Sequence, residues 1–218
     1  MSPITCNVEG LRTHSVAANM FGFGSISGIE RRWRTWLVHC LVKAIRHYNE
    51  ARNTVMAQID ANRRVTHVAH FPIWDFALAM EDCVTSIEKA VVCINALKSS
   101  TPVFDSFASD LNQERKQLND IRRQQEHMHT QIAAGQTGAG PILLSLTEDG
   151  SAIRLRDLKM PVASVHALIV EVFRVLCLLY PDFDAGSEPR PAGTLALSIT
   201  AQLVIEPNAK PTTMPDTD

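Results

Sequence analysis

Residues 120–131, DIRRQQEHMHTQ, contain the side chains of this chain that are best suited to act on a phosphate. Arg122 and Glu126 are four residues apart, as are Arg123 and His127, so each pair shares one stripe of a helix. An arginine can hold a phosphate through two parallel hydrogen bonds, and a histidine titrates near neutral pH and can transfer a proton. The same pattern also fits a solvated helix face that is held together by intrahelical pairs.

The spacing of these residues resembles the R-x4-6-H motif of HEPN-like domains. Four residues separate Arg122 from His127, and five separate Arg123 from His129, so either arginine fits the motif. The phrase IRRQQEHMHTQI is also similar to a motif phrase of helical proteins of this kind. In architecture the resemblance extends over residues 30–180, whereas the motif itself is confined to this short stretch. It implies an all-helical domain that pairs its motif helices across a two-fold axis.

The resemblance also implies a chemistry, which is the cleavage of RNA without a metal ion. His127 would take the proton of the 2′-hydroxyl or protonate the leaving oxygen, and Arg122 would stabilise the charge that develops on the phosphate. Glu126 would orient Arg122 or tune a histidine across a homodimer interface. Four further arginines would contact the RNA backbone: Arg123, Arg31, Arg32 and Arg34.

Composition limits the alternatives. The chain has 218 residues, of which 45% are hydrophobic, and this suits one globular domain with a substantial core. The formal net charge is −2, so no global basic field attracts nucleic acid or membranes. Charge is unevenly distributed, however, because residues 30–64 carry eight basic and three acidic side chains, a local excess of five positive charges. This excess permits a basic face on the first long helix.

Hydrophobic periodicity predicts a mainly α fold, a four-helix up-and-down bundle with a small β element before and after the fourth helix. The four helices are expected within residues 29–71, from Pro72 for about 27 residues, at 105–134 and at 161–180. Two short apolar runs flank Asp149-Gly150, a dipeptide typical of tight hairpins, and predict a β-hairpin at about 141–157. These elements place the predicted bundle at residues 29–180, and the motif resemblance implies that it is HEPN-like.

The two ends of the chain are expected to be less regular. Residues 1–28 end in a glycine-rich segment and are interpreted as an N-terminal arm or loop. Residues 181–206 are expected to be a linker and a strand, because apolar and polar residues alternate from 194 to 206, and this strand could join the hairpin as a third. Residues 207–218 contain three prolines without an apolar pattern and are expected to be disordered.

The expected environment is the cytoplasm, without membrane association. The segment MSPITCNVEG lacks a basic stretch followed by an apolar run, so no secretory signal is expected, and the most apolar segment, 163–180, contains His166, Glu171 and Arg174. The five cysteines form no CxxC pair, so we expect reduced thiols. No cofactor and no metal site are expected, since His67 and His70 have no third ligand nearby in the sequence.

Two functions follow as hypotheses. The first is a homodimeric, metal-independent ribonuclease of a toxin or phage-defence system, controlled by an antitoxin or another regulatory protein. The second is a non-catalytic helical module for dimerisation or regulation on the same scaffold. A polar helix that merely contains Arg and His is a third interpretation. Convergence of Arg122 and His127 in one cleft would favour the enzyme.

Overall fold

The computed structural model describes residues 1–21, 26–64, 73–107, 111–138, 140–181 and 183–186. Their fold is mainly helical, as predicted, with one small antiparallel sheet. The α-helices are α1 (Val8–Phe21), α2 (Gly28–Arg64), α3 (Ile73–Leu97), α4 (Asn112–Glu126), α5 (Met128–Ala133) and α6 (Val162–Leu179), with a 3₁₀ helix at Pro102–Ser106. The strands are β1 (Ser145–Leu146), β2 (Ala152–Leu155) and β3 (Leu158–Pro161).

Helices α2 and α3 form the centre of the fold. They run antiparallel, because Glu30 at the start of α2 accepts a hydrogen bond from Thr101, just after α3, while Lys43 further along α2 meets Asp82 within α3. Apolar residues at three- and four-residue spacing bury one side of each helix. Tyr48 of α2 and Phe76 of α3 are completely buried in the resulting core.

Helix α6 completes the core by packing against α2, α3 and α4. It is the one helix in the described ranges that is long and apolar enough to cross a membrane, but half of it is buried inside the fold. The apolar composition of α6 is explained by the side that it buries in the core. The predicted helix at 161–180 is confirmed.

The predicted hairpin is also confirmed. Ser145 and Leu146 of β1 pair with Arg154 and Ile153 of β2 around the turn that contains Gly150, whose φ is +68°. The third strand, β3, pairs with β2 and precedes α6. The sequence analysis missed β3, because Arg156 occupies the left-handed position of the turn between β2 and β3, with φ +54°. A glycine or asparagine at that position would have signalled a tight turn.

The prediction of an irregular arm at residues 1–28 is wrong for its central part, which is α1. The Asn7 side chain caps this helix by accepting a hydrogen bond from the Gly10 amide at 2.9 Å. Leu11 is fully buried and fixes α1 against the core. Asn7, followed by Glu9 in the first turn, was the sequence signal for this helix, and the glycines after residue 21 obscured it.

The prediction of one continuous helix at 105–134 is also wrong. A 3₁₀ helix occupies Pro102–Ser106, α4 begins at Asn112, and His127 separates α4 from α5 with φ −95° and ψ 1°. The up-and-down arrangement of four helices stays a prediction. The expected strand at 194–206, the tail at 207–218 and the His67/His70 pair lie outside the described residues.

Candidate functional site: two polar grooves on α4

Arg122 lies between two carboxylates. Its Nη1 is 3.0 Å from Oε1 of Glu88 on α3, and its Nη2 is 2.5 Å from Oε1 of Glu126, one turn further along α4. Only 13% of the Glu88 side chain and 28% of the Arg122 side chain are exposed. The guanidinium therefore joins α3 to α4, and its two charge-assisted bonds occupy both terminal nitrogens.

A groove between α3 and α4 surrounds this arginine. We call it the α3–α4 groove; it is lined by Leu78, Glu81, Asp82, Thr85, Lys89, Arg122, Gln125 and Glu126. Partial burial raises the pKa of Glu81, while hydrogen bonds from the Gln125 side chain and the Leu144 backbone oppose the shift. The charged residues that line the α3–α4 groove are three acids and two bases, and this mixture of signs does not attract a polyanion.

His127 belongs to a different groove. This second groove, called the His127 groove, is lined by Asp120, Arg123, Gln124, His127, Gln131 and Leu158. Arg123 and His127 are both exposed. The His127 amide donates a hydrogen bond to the Arg123 carbonyl, so the two residues keep the i, i+4 spacing of a helix although α4 ends just before His127. Within the described ranges Arg123 makes no ion pair.

The fold therefore separates the residues that the motif pairs. Arg122 and Glu126 line the α3–α4 groove, whereas His127 lines a groove with Arg123. A five-residue step along a helix is about 500°, or roughly 140° away from alignment, so the two side chains point to different surfaces. The second motif histidine, His129, is exposed on α5 with its Nε2 3.1 Å from the Thr130 hydroxyl.

The three arginines at the start of α2 differ in their surroundings. Arg31 and Arg32 are exposed. Arg34 is only 13% exposed and is paired with Glu30, which also accepts a hydrogen bond from Thr101 at 2.9 Å. Glu30 therefore ties α2 to the segment after α3 and also pairs with Arg34, and of the three arginines only Arg31 and Arg32 present their charge to solvent.

A group of exposed apolar side chains borders the α3–α4 groove. Ile73, Trp74 and Leu78 on the first two turns of α3 are 50%, 66% and 60% exposed, and Leu78 lines the groove. Scattered exposed apolar residues are ordinary, but three together on one helix end typify an interaction surface. We call these three residues the α3 apolar group.

In the ranges that the structure describes, no group of three histidine, cysteine or carboxylate side chains could hold a metal ion. The described fold defines a mainly helical protein with a small three-stranded sheet. No protein-family model, no curated protein and no solved structure matches this chain.

Proposed function

We propose that this chain is a cytoplasmic, homodimeric helical interaction module that retains a HEPN-like scaffold without catalysing RNA cleavage. The observation that carries the proposal is the engagement of Arg122 by Glu88 and Glu126. A phosphate would have to displace two carboxylates from this guanidinium. His127, its motif partner, lines the other groove and cannot act on the same phosphate from within one chain.

The partner we assign to the α3 apolar group and the α3–α4 groove is a second copy of this chain. Large apolar side chains supply the energy of protein interfaces, and tryptophan is prominent among the residues that dominate it. In a two-fold interface the same patch meets itself, so a groove with charges of both signs can pair its acids with the bases of the other copy. Lys89 and Glu81 provide such opposite charges and line the same groove as Leu78.

Replacement of Leu78 by aspartate is therefore expected to convert a dimer into a monomer. Trp74→Ser should weaken self-association by roughly thirty-fold or more, which corresponds to about 2 kcal/mol for an interface residue of this kind. Both side chains are more than half exposed, so neither substitution removes core packing. Sedimentation equilibrium across a range of concentrations measures the masses directly.

Leu178→Asp is the matched control, because Leu178 is also an exposed leucine, at 47%, but lies on α6. It should leave the dimer intact, with a far-ultraviolet spectrum equal to that of the wild type. A wild-type chain that stays monomeric at high concentration would overturn the proposal. So would a dimer that survives both Leu78→Asp and Trp74→Ser.

A metal-independent ribonuclease is the second candidate, and one observation favours it. Arg123 and His127 share a groove and are exposed, and Arg123 makes no ion pair in the described part of the chain. A phosphate in the His127 groove could contact the guanidinium of Arg123 while the imidazole of His127 donates or accepts a proton. In that case Arg123, and not Arg122, is the functional arginine, and Asp120 of the same groove could orient it.

A labelled RNA of mixed sequence, incubated with the protein in EDTA, separates the two candidates. We expect no cleavage above the level of buffer from a folded dimer. Cleavage that is lost in His127→Ala and Arg123→Ala, but kept in Arg122→Ala, would instead establish the ribonuclease. Cleavage that is unchanged in all three variants would indicate a contaminant or another site.

A further inference from the structure

A cavity lies between the middle of α2, the turn of the hairpin and the start of α6. It has a volume of about 300 Å³ and is lined by Met1, Ser2, Tyr48, Gly150, Ser151, Val162, Ala163 and His166. None of these residues lines either groove on α4 or belongs to the α3 apolar group. The cavity is therefore separate from the proposed dimer surface, and its volume falls at the lower end of the range for ligand-binding cavities.

The hydroxyl of Tyr48 is an unpaired donor in the wall of this cavity. Tyr48 is completely buried, and among the described residues its hydroxyl has no hydrogen-bond partner. A buried hydroxyl without a partner costs free energy, so buried tyrosines usually have one. Burial raises the pKa of Tyr48 to about 12, so the hydroxyl stays protonated at neutral pH and can donate a hydrogen bond.

His166 supplies a second donor beside Tyr48. The two rings meet edge to face, with their centroids 5.9 Å apart. The imidazole is partly exposed, and it forms no hydrogen bond or ion pair with another residue in the described ranges. Whether neutral or protonated, an imidazole has at least one N–H to donate, and the protonated form adds a positive charge.

The start of α6 adds a backbone donor and the positive end of a helix dipole. No side chain caps this end of the helix, and its first turn contains no acid. The Val162 amide donates to the Ser151 carbonyl at 2.9 Å, whereas the next amide, that of Ala163, belongs to the donors that helix geometry leaves unpaired. Such a helix start favours a negatively charged group.

The charges around the cavity favour an anion with a single negative charge. No carboxylate side chain lines the cavity, so its walls do not repel an anion. Asp149 touches the lining from outside, because its carboxylate accepts a hydrogen bond from the Ser151 hydroxyl at 2.7 Å. The negative charge of Asp149 disfavours a doubly charged phosphate more than a carboxylate. Met1, Val162 and the ring of Tyr48 provide apolar surface for the rest of a ligand.

We propose that this cavity binds a small monocarboxylic acid with an apolar tail. The carboxylate lies at the start of α6 and accepts hydrogen bonds from the Ala163 amide, the His166 imidazole and the Tyr48 hydroxyl. The hydroxyl is covered, so the partly exposed His166 side chain, which contacts the Tyr48 ring, turns to admit the ligand. The tail packs against Met1 and Val162. Binding thus gives the buried hydroxyl an acceptor, and charge-assisted hydrogen bonds of this kind are stronger than those to a neutral group.

Benzoate is the probe, and isothermal titration calorimetry of the full chain measures its binding. We expect one site per chain with a Kd of about 1 mM or below, an affinity within reach of a ligand of this size. Benzamide has a similar shape without the charge and should bind at least about ten-fold more weakly. Inorganic phosphate should also bind more weakly than benzoate. In heteronuclear NMR spectra, benzoate should shift the amide signal of Ala163.

Variants identify the groups that hold the carboxylate. Tyr48→Phe keeps the ring and removes only the hydroxyl, so it should weaken benzoate binding by about ten-fold. Without ligand it should not lower the melting temperature, because the hydroxyl has no partner among the described residues. His166→Ala should weaken binding by a similar factor. Tyr180→Phe is the matched control, since Tyr180 is also buried but does not line the cavity, and it should bind benzoate as the wild type does.

The proposal is overturned if calorimetry detects no binding at tens of millimolar benzoate and the Ala163 amide signal does not move. It is also overturned if benzamide or phosphate binds as tightly as benzoate. Binding that is unchanged in both Tyr48→Phe and His166→Ala would place the ligand elsewhere and would equally reject this site. The wild-type titrations remain decisive even where a variant folds poorly.

Discussion

Replacement of Gly140 by alanine is expected to lower the free energy of unfolding by about 1–3 kcal/mol, the usual effect of forcing extra atoms into a packed site. A Cβ at this position would lie 2.6 Å from the Cα of Arg156 and 2.9 Å from its carbonyl oxygen. Both atoms belong to backbone, so no side-chain rotation relieves the contact. The segment before β1 and the turn between β2 and β3 would have to separate.

The position of Arg156 is fixed from several directions. Its amide donates to the Pro141 carbonyl at 2.9 Å, and its guanidinium bonds to the Gln131 side chain and to the Gln136 carbonyl. These bonds connect the sheet to α5 and to the loop that follows it. A shift forced by the Gly140→Ala substitution would therefore disturb one side of the His127 groove, which includes Gln131.

Urea unfolding followed by circular dichroism measures the effect of the Gly140 substitution. Gly28→Ala is the matched control, because a Cβ at Gly28 meets nothing within 4 Å and its φ is not in the left-handed region. The control should change stability by less than about 0.5 kcal/mol. Equal stability of the two variants would mean that the Arg156 turn moves away from residue 140 without cost.

Replacement of Arg122 by alanine is expected to destabilise the fold by about 1–3 kcal/mol, because it leaves the carboxylate of Glu88 largely buried without its cation. The pair joins α3 to α4, and only 13% of the Glu88 side chain is exposed to water that could replace the arginine. Glu88→Gln should recover part of the loss when it is combined with Arg122→Ala. The coupling between the two positions should be about 0.5–3 kcal/mol in a double-mutant cycle.

Arg63→Ala is the control for this cycle. Arg63 and Asp60 form an exposed pair at 3.8 Å, with side chains that are 75% and 53% exposed, and such pairs contribute about 0–1 kcal/mol. Thermal and urea unfolding of the variants give the comparison. If Arg122→Ala is as stable as Arg63→Ala, Arg122 does not stabilise the packing of α3 against α4. The case for a phosphate ligand at Arg122 would then be stronger.

Much of the secondary structure could be predicted from the sequence because its signals are local. The apolar spacing of α2, α3 and α6 repeats with the helical period, and Asp149-Gly150 marks the hairpin. The misses have equally local causes. Asn7 was an overlooked cap for α1, β3 is short and follows an unusual turn, and the break at His127 lies in a polar run without glycine or proline.

The site residues were less predictable. The sequence placed Arg122 and Glu126 on one stripe and Arg123 and His127 on another, and both pairings hold because they follow from the helical repeat. It could not reveal Glu88 as the second partner of Arg122, because that contact joins residues of two helices.

The sequence by itself determined the helical character of this protein, the hairpin and the residues that share each stripe of α4, since these depend on neighbours within a few positions. The tertiary structure alone decided that Arg122 is neutralised from α3 and that Ile73, Trp74 and Leu78 remain exposed. Which side of a helix meets which neighbour depends on how elements that are distant in the sequence pack together, and a local sequence pattern does not specify that packing.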